Sequence, residues 1–178
     1  MNGPDPGRKK APMTEIPVPS KSSGSLPRGL GLVSLVVFLV IVVAGGGAIG
    51  AFTAPGAWFA ALVKPSFNPP NWLFGPVWTL LYLAIASAGW RCWQRQRDGI
   101  AMKIWIAQLA VNFSWSPIFF SAQRIDLALG VIVILLALIL AFIAATRRQD
   151  RVSALLFVPY AAWVAFATVL NASILYLN

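Results

Sequence analysis

The side chains in this sequence that could do chemistry are tryptophans and a few neutral polar residues. The 178 residues include eight tryptophans, a single cysteine, Cys92, and no histidine. A Ser–His or Cys–His catalytic pair is therefore excluded, and a His/Cys metal site is effectively excluded as well. An intrachain disulfide is also excluded, because it needs two cysteines. The chemistry that suits these residues best is binding through aromatic faces and oriented hydrogen bonds.

A short polar stripe interrupts one of the apolar stretches. Gln108 and Asn112 are four residues apart, which places them on one face of a helix, and Trp115 and Ser116 continue that face. Polar side chains inside a membrane span commonly form interhelical hydrogen bonds, each worth about 0.6 kcal/mol. The functional alternative is that they line a ligand cavity. The spacing alone favours interhelical bonding and leaves the cavity open as the second interpretation.

Three tryptophans lie where a role at the membrane interface does not explain them. An interfacial belt accounts for tryptophans near span ends, such as Trp90 and Trp105. Trp78, Trp115 and Trp163 fit that belt less well. A cavity lined by aromatic rings and a few oriented polar groups suits a flat, largely apolar ligand. Plain aromatic packing is the alternative for each of these rings.

The elements that must position these residues are long apolar helices. Hydrophobic residues make up 58% of the chain and charged residues only 11%, far fewer charges than a soluble domain carries. The apolar runs are long enough to cross a hydrocarbon core of about 30 Å. They predict an all-α membrane protein, a five-transmembrane-helix bundle, with spans at about residues 30–51, 76–93, 100–120, 127–146 and 152–172. Pro76 is expected in the first turn of the second helix, and Pro159 inside the fifth.

The chain divides into a tail and a membrane domain. Residues 1–28 are rich in Pro, Gly, Ser and Lys and lack apolar periodicity, which predicts a disordered basic tail. Residues 29–178 form the predicted membrane domain. The first apolar run also resembles a signal peptide, but it is long for one, which favours a retained span.

The first loop, residues 54–75, combines prolines with aromatic residues. Proline fixes the backbone and prevents a long helix there, and aromatic rings often settle at the membrane interface. Two interpretations fit this composition: a stiff, partly buried lid, or a loop on the membrane surface. The sequence favours the surface loop.

Positive charges are distributed as membrane topology predicts, and no nucleic-acid partner is expected. The net charge is +9, but the Lys and Arg residues cluster between the apolar runs. With the amino terminus inside, twelve of them fall inside and two outside, so the carboxyl terminus is expected outside. No Asp, Glu, Lys or Arg lies at the centre of a predicted span, which argues against a proton relay or an ion pump.

Several motifs, taken together, give the chain a resemblance to a known family. They are Trp58-Phe59 with Lys64-Pro65-Ser66-Phe67-Asn68-Pro69-Pro70, Trp72-Leu73-Phe74-Gly75-Pro76-Val77-Trp78 with Leu81-Tyr82, Asn112-Phe113-Ser114-Trp115-Ser116-Pro117-Ile118-Phe119-Phe120, and Val158-Pro159-Tyr160 with Trp163, Ala165-Phe166-Ala167-Thr168 and Leu170-Asn171. In this order and spacing they resemble the tryptophan-rich sensory protein and translocator protein family (TspO/MBR), which includes the former peripheral benzodiazepine receptor. The resemblance covers about residues 30–178.

The resemblance implies a fold, an assembly and a ligand class. The fold is a five-helix bundle, commonly a homodimer, with a pocket among the helices beneath the first loop. The implied ligands are porphyrins and haem-type tetrapyrroles, benzodiazepine-like small molecules and membrane lipid. No obligatory cofactor is implied, because the tetrapyrrole is a ligand.

The resemblance also implies which residues line the pocket. By position they are Phe59, Trp78, Asn112, Trp115, Trp163 and Ala167. Phe59 stands where some members have a loop tyrosine, so a hydrogen bond from the lid is not expected here. Ala167 matches a small residue whose size influences ligand binding.

The first loop supplies the expected mouth of this pocket. Lys64 is the candidate cation for the propionates of a porphyrin, and Pro69 and Pro70 belong to the stiff lid. No basic residue follows Tyr176, so the proposed cholesterol pattern is incomplete and specific cholesterol recognition is not expected.

Three functions fit the resemblance. The first is a sensory or regulatory protein that binds tetrapyrroles in the membrane. The second is a transporter of porphyrins or other flat apolar ligands. The third is light-dependent degradation of porphyrin, in which Trp78 and Trp163 would be the redox-active groups; enzyme activity is the less favoured reading. The expected location is a bacterial inner membrane, because the basic tail contains Asp5 and Glu15, unlike a transit peptide.

Overall fold

The computed structural model describes residues 28–178, and all regular structure in this part of the chain is helical. The α-helices are α1 (Arg28–Leu39), α2 (Gly45–Phe52), α3 (Ala57–Ala61), α4 (Asn71–Arg95), α5 (Ile100–Ser116), α6 (Ile125–Thr146) and α7 (Arg151–Leu177). A π-helical segment, Val40–Ala44, joins α1 to α2, and a second, Pro117–Ser121, follows α5. The all-helical class is confirmed. The predicted tail, residues 1–28, lies outside the described residues except for Arg28, where α1 begins.

Within residues 28–178, four helical stretches are long and apolar enough to cross a membrane. They are Gly31–Phe52, Asn71–Arg95, Ile125–Thr146 and Arg151–Leu177. These stretches match the first, second, fourth and fifth predicted spans. The third, residues 100–120, is helical throughout, but its α-helical part has 17 residues before the π-helical segment begins. A membrane crossing by this third predicted span, which would bring the total to five, stays a prediction.

The second helix begins earlier than predicted, and the position assigned to Pro76 was wrong. α4 starts at Asn71, after Pro70 in an extended conformation, so Pro76 lies inside the helix and not in its first turn. The aromatic-rich composition of residues 71–75 suggested a loop, although no residue after Pro70 prevents a helical backbone before Pro76. Pro159 lies inside α7, as predicted. Each proline removes the N–H that would bond the carbonyl four residues earlier.

The long helices pack around a large apolar core. α1 contacts α4, α4 contacts α7, α7 contacts α6 and α6 contacts α5, while α5 also contacts α2 and α4. Fully buried side chains of Ile85, Leu135 and Ile139 lie in this core. The rings of Phe142 and Phe157 join α6 to α7, with their centroids 4.0 Å apart.

The outward surface of these helices is also apolar. Large hydrophobic side chains are exposed on each long helix, among them Leu80, Ile106, Ile134, Leu155 and Val169. Such a surface is unfavourable in water but favourable in a lipid bilayer. The apolar surface and the spanning helices agree with an integral membrane location.

Helices α4 and α5 approach each other closely at Gly89. The ring of Trp105 occupies the place where a Cβ on Gly89 would lie, so a glycine is needed at this contact. The indole N–H of Trp105 donates to the carbonyl of Ile85 at 2.9 Å. Trp105 is only 4% exposed. It is a core residue, and its assignment to an interfacial belt was wrong, because the glycine pocket that receives it lies on another helix.

A buried carboxylate ties the α6–α7 turn to the end of α4. Asp150 accepts hydrogen bonds from Nη2 and Nε of Arg91, at 2.7 and 3.2 Å, and Nε of Arg95 lies 3.3 Å away. Asp150 also caps α7 by accepting from the backbone N–H and the hydroxyl of Ser153. Burial raises the pKa of Asp150, but the bonds from Arg91 and Ser153 outweigh it and lower that pKa from 3.8 to about 2.

Candidate ligand-binding site

At the end of the bundle away from Asp150, the helices enclose a cavity of about 590 Å³. Its walls come from α2 to α7 and from both π-helical segments. The volume falls within the range of about 300–1,000 Å³ that small-molecule sites occupy. Eight aromatic side chains contribute to the lining: Phe59, Phe74, Trp78, Tyr82, Trp115, Phe119, Phe120 and Trp163.

The aromatic rings support one another from several helices. On α4, Trp78 and Tyr82 are one helical turn apart, with ring centroids at 5.2 Å. Phe74 meets Trp163 of α7 edge to face at 5.7 Å. Trp115 stacks on Phe119 at 5.1 Å. The rings are therefore held in place by neighbours and present preformed apolar surfaces to the cavity.

Asn112 brings a polar group to the aromatic wall. Its amide nitrogen donates to the Tyr160 hydroxyl at 2.8 Å, and that hydroxyl donates to Oε1 of Gln108 at 3.1 Å. On the cavity side, the Tyr82 hydroxyl donates to Oδ1 of Asn112 over a longer 3.4 Å. Gln108 and Asn112 therefore do form an interhelical network, while Asn112 also lines the cavity. The polar stripe therefore both forms interhelical hydrogen bonds and, through Asn112, lines the cavity.

The indole N–H groups around the cavity differ in whether they are already used. Trp115 donates to Oδ1 of Asn171 at 3.2 Å, and the Asn171 amide nitrogen donates in turn to the carbonyl of Ile125 at 3.1 Å. Trp78 and Trp163 make no indole hydrogen bond within residues 28–178. Their N–H groups could therefore donate hydrogen bonds to acceptor atoms of a bound molecule.

Glycines shape the wall that α2 and α4 share. The ring of Tyr82 packs directly on Gly46, where a Cβ would overlap it. Gly47, Gly50 and Gly75 also line the cavity, and an added Cβ at these positions would meet no atom within 4 Å. The missing side chains leave room on this wall.

The first loop covers the cavity through the short helix α3. Phe59 of α3 is buried and packs edge to face on Phe120 at 5.3 Å and on Phe119 at 6.1 Å. Beyond α3, Val63 is held at both backbone groups by the Asn178 side chain: its N–H donates to Oδ1 at 3.0 Å, and its carbonyl accepts from Nδ2 at 3.1 Å. The loop is thus partly buried.

The predicted pocket residues come together, whereas the predicted mouth residues do not. Phe59, Trp78, Asn112, Trp115, Trp163 and Ala167 all line the cavity. Lys64, Pro69 and Pro70 are not among its lining residues. The Lys64 ammonium donates to the carbonyls of Ala60 and Leu62 at the end of α3 and lies 4.6 Å from the centre of the Phe59 ring. A role for any of these nine residues in ligand binding stays a prediction.

Several residues at the site were not singled out from the sequence as functional. Tyr82 carried a usable signal, because it lies four residues after Trp78 on the same helical face. Tyr160 and Asn171 belong to the motifs of the resemblance, but no spacing in the sequence links them to their partners, which lie on other helices. The cavity lining within the described residues contains no Asp, Glu, Lys or Arg. The arrangement is therefore suited to a large apolar molecule with a few hydrogen-bonding groups.

The chain matches one family profile and is similar to several known proteins along most of its length. The profile described as the TspO/MBR family matches residues 37–177. The protein CrtK of Rhodobacter capsulatus is 38% identical over 151 residues, which cover 82% of this chain and 94% of that protein. The tryptophan-rich protein TspO of Chlorobaculum tepidum is 37% identical over 153 residues, covering 83% and 97% respectively. The human translocator protein is 35% identical over 119 residues, covering 64% and 70%.

Proposed function

The chain belongs to the TspO/MBR family, and from that premise we propose that it binds a porphyrin-type tetrapyrrole inside the membrane and acts as a sensory or regulatory protein. The observation that carries the proposal is the aromatic cavity of about 590 Å³. Relatives named tryptophan-rich and translocator proteins support it. The proposed ligand needs no metal or cofactor of the protein.

The lining supports a flat aromatic ligand in particular. Trp78 and Trp163 offer indole faces that cost little conformational entropy to order and N–H groups that are not otherwise used. Asn112 and Asn171 supply polar atoms at the wall. Benzodiazepine-like molecules share the flat aromatic shape and are the second proposed class. Propionates of a porphyrin would extend towards the first loop, where Lys64 is the proposed cation and Pro69 and Pro70 stiffen the cover.

The proposal includes a membrane arrangement. We place a fifth crossing at α5 with its π-helical extension, 17 and five residues, which together span roughly 30 Å. The amino terminus would face the inside of a bacterial inner membrane and the carboxyl terminus the outside, following the distribution of Lys and Arg. A homodimer is the proposed assembly, as the family suggests.

Two other activities use the same cavity. The name translocator, carried by relatives, favours ligand transport as one alternative. The presence of Trp78 and Trp163 on one cavity favours light-dependent porphyrin degradation as the other, because indole rings are oxidisable. Uptake into sealed vesicles identifies transport, and repeated turnovers to a new chromophore under illumination identify degradation. Saturable binding with neither identifies a sensor.

The first test is a titration of the detergent-purified protein with protoporphyrin IX in the dark. Tryptophan quenching should saturate, and its midpoint should rise about tenfold or more in a Trp163→Phe, Asn112→Ala double variant, because one aromatic face and one polar contact are lost. Trp72→Phe is the matched control, since Trp72 is 71% exposed and does not line the cavity. Its midpoint should match that of the wild type.

A titration that does not saturate would contradict the proposal. Quenching that rises linearly and identically in all three proteins means that the porphyrin only partitions into detergent micelles. The proposed ligand class would then be rejected.

A further inference from the structure

Tyr160 is fully buried and does not line the cavity, yet its hydroxyl is bonded to the amide of Asn112, which does line it. We propose that Tyr160, backed by Gln108, is a positioning residue that holds the Asn112 amide in the orientation in which it meets the ligand. This inference rests on the proposed function, because it assigns a specificity role within that site. It concerns residues behind the wall rather than residues that touch the ligand.

The geometry gives the Asn112 amide one strong partner. Its nitrogen donates to the Tyr160 hydroxyl at 2.8 Å, while its oxygen receives the Tyr82 hydroxyl only over 3.4 Å. Terminal amide torsions are soft, so an asparagine with one weak bond can present either its oxygen or its nitrogen. The bond to Tyr160 therefore sets which end of the amide faces the cavity.

Gln108 sets the direction of that bond. The Tyr160 hydroxyl has a single hydrogen, which it gives to Oε1 of Gln108 at 3.1 Å, so towards Asn112 it can act only as an acceptor. Asn112 must then donate through its nitrogen and turn its oxygen towards Tyr82 and the cavity. This oxygen would then accept a hydrogen bond from a donor group on the ligand.

The buried Gln108 is hard to explain by stability alone. It is fully buried, and its amide nitrogen has no hydrogen-bond partner within the described residues. A buried unpaired donor is unfavourable, and an apolar side chain of similar size would avoid that loss. A positioning role accounts for a glutamine here, because only its carbonyl fixes the Tyr160 hydroxyl.

The Tyr160 ring is held independently of its hydroxyl. It packs edge to face on Phe157 at 5.6 Å and on Trp78 at 6.2 Å. Tyr160→Phe should therefore remove the hydroxyl and leave the ring in place. This makes the substitution a direct test of the hydrogen bond.

The experiment is a double-mutant cycle read by the dissociation constant of protoporphyrin IX in the dark. The four proteins are the wild type, Asn112→Ala, Tyr160→Phe and the double variant. Tyr160→Phe should weaken binding roughly three- to tenfold in the wild type, as loss of one hydrogen bond would. In the Asn112→Ala background it should have no further effect, because its target is gone. Equal weakening in both backgrounds overturns the proposal, since Tyr160 would then act through packing alone.

A second measurement does not need the ligand. In the ligand-free protein, the side-chain amide signals of Asn112 in a ¹⁵N NMR spectrum should shift or broaden in Tyr160→Phe and, to a smaller degree, in Gln108→Met. Unchanged signals overturn the positioning role whatever the porphyrin result. If these signals respond but the wild type fails to bind porphyrin, the positioning stands and the proposed ligand fails.

Discussion

The two ends of the bundle are built from the same helices but packed in opposite ways. Near Asp150, ionic hydrogen bonds and the Trp105 ring packed on Gly89 join the helices, and the pocket beside Asp150 has a volume of only about 40 Å³. At the other end, the same α4, α5 and α7 enclose a cavity of about 590 Å³. Glycine has a different use at each end: Gly89 admits the Trp105 ring, whereas Gly75 borders empty space.

This difference predicts that stability and ligand binding depend on opposite ends of the same helices. The closed end has a paired buried charge and interlocked rings, which favour a single arrangement of α4, α6 and α7. The cavity end forgoes that packing and leaves aromatic surface available to a ligand. Substitutions at the closed end should therefore change stability first, and substitutions at the cavity end should change binding first.

The largest expected effect is at Asp150. Asp150→Ala should lower the stability by about 2–4 kcal/mol, because charged hydrogen bonds and the α7 N-cap are lost together. Asp150→Asn should lose less, since it can still cap the helix. Thermal unfolding in detergent measures both. Asp126→Ala is the control, because the Arg124–Asp126 pair is exposed to solvent, which screens its charges, so its loss should change the stability far less.

The same carboxylate predicts a pH dependence. Since the pKa of Asp150 is about 2 in the folded chain and 3.8 is its ordinary value, its contribution is fully present above about pH 4. The contribution should be lost as the pH falls from about 4 to about 2. Unfolding midpoints measured across this range should fall in the wild type and fall less in Asp150→Ala. Parallel curves for the two proteins would contradict this assignment.

A smaller effect distinguishes the two uses of glycine. Gly89→Ala should destabilise the protein by about 1–3 kcal/mol, because the new methyl group overlaps the Trp105 ring. Gly75→Ala should be neutral or stabilising by up to about 1 kcal/mol, since it faces open space within a helix. Thermal unfolding of both variants gives the comparison. Equal effects would mean that the two ends are packed alike.

The smallest effect concerns the cover of the cavity. Asn178→Ala removes both bonds to the Val63 backbone, so the Val63 amide should exchange its hydrogen faster while global stability changes little. Ser173→Ala is the control, because its hydroxyl bonds only within α7. Unchanged exchange at Val63 would show that Asn178 does not hold the cover.

Apolar length predicted most of the helices well. The span predicted at 127–146 is observed at Ile125–Thr146, because charged residues mark both of its ends. The start of α4 was misplaced by five residues, since composition does not show that the backbone becomes helical directly after Pro70. The short helix α3 and the π-helical segments were not predicted, although the second π-helical segment begins at Pro117, whose ring removes a backbone N–H.

The candidate site was predictable only in part. Aromatic spacing and family resemblance pointed to Trp78, Asn112 and Trp163, and the structure brings these residues to one cavity. Tyr160 was not singled out as functional, because its hydrogen-bond partners lie on α5 and the sequence does not show that the two helices meet there. Hydrogen bonds between helices depend on how the helices pack, and a local sequence pattern does not predict them.

The most direct test of the contrast between the two ends is to fill the cavity. Ala167→Phe places a ring into the lining, and Ala162→Phe places the same ring on the exposed side of α7. Dark titration with protoporphyrin IX should show affinity reduced about tenfold or more for Ala167→Phe, with thermal stability kept, and affinity close to that of the wild type for Ala162→Phe. Wild-type affinity in Ala167→Phe would contradict the account, because the ligand would then bind outside this cavity.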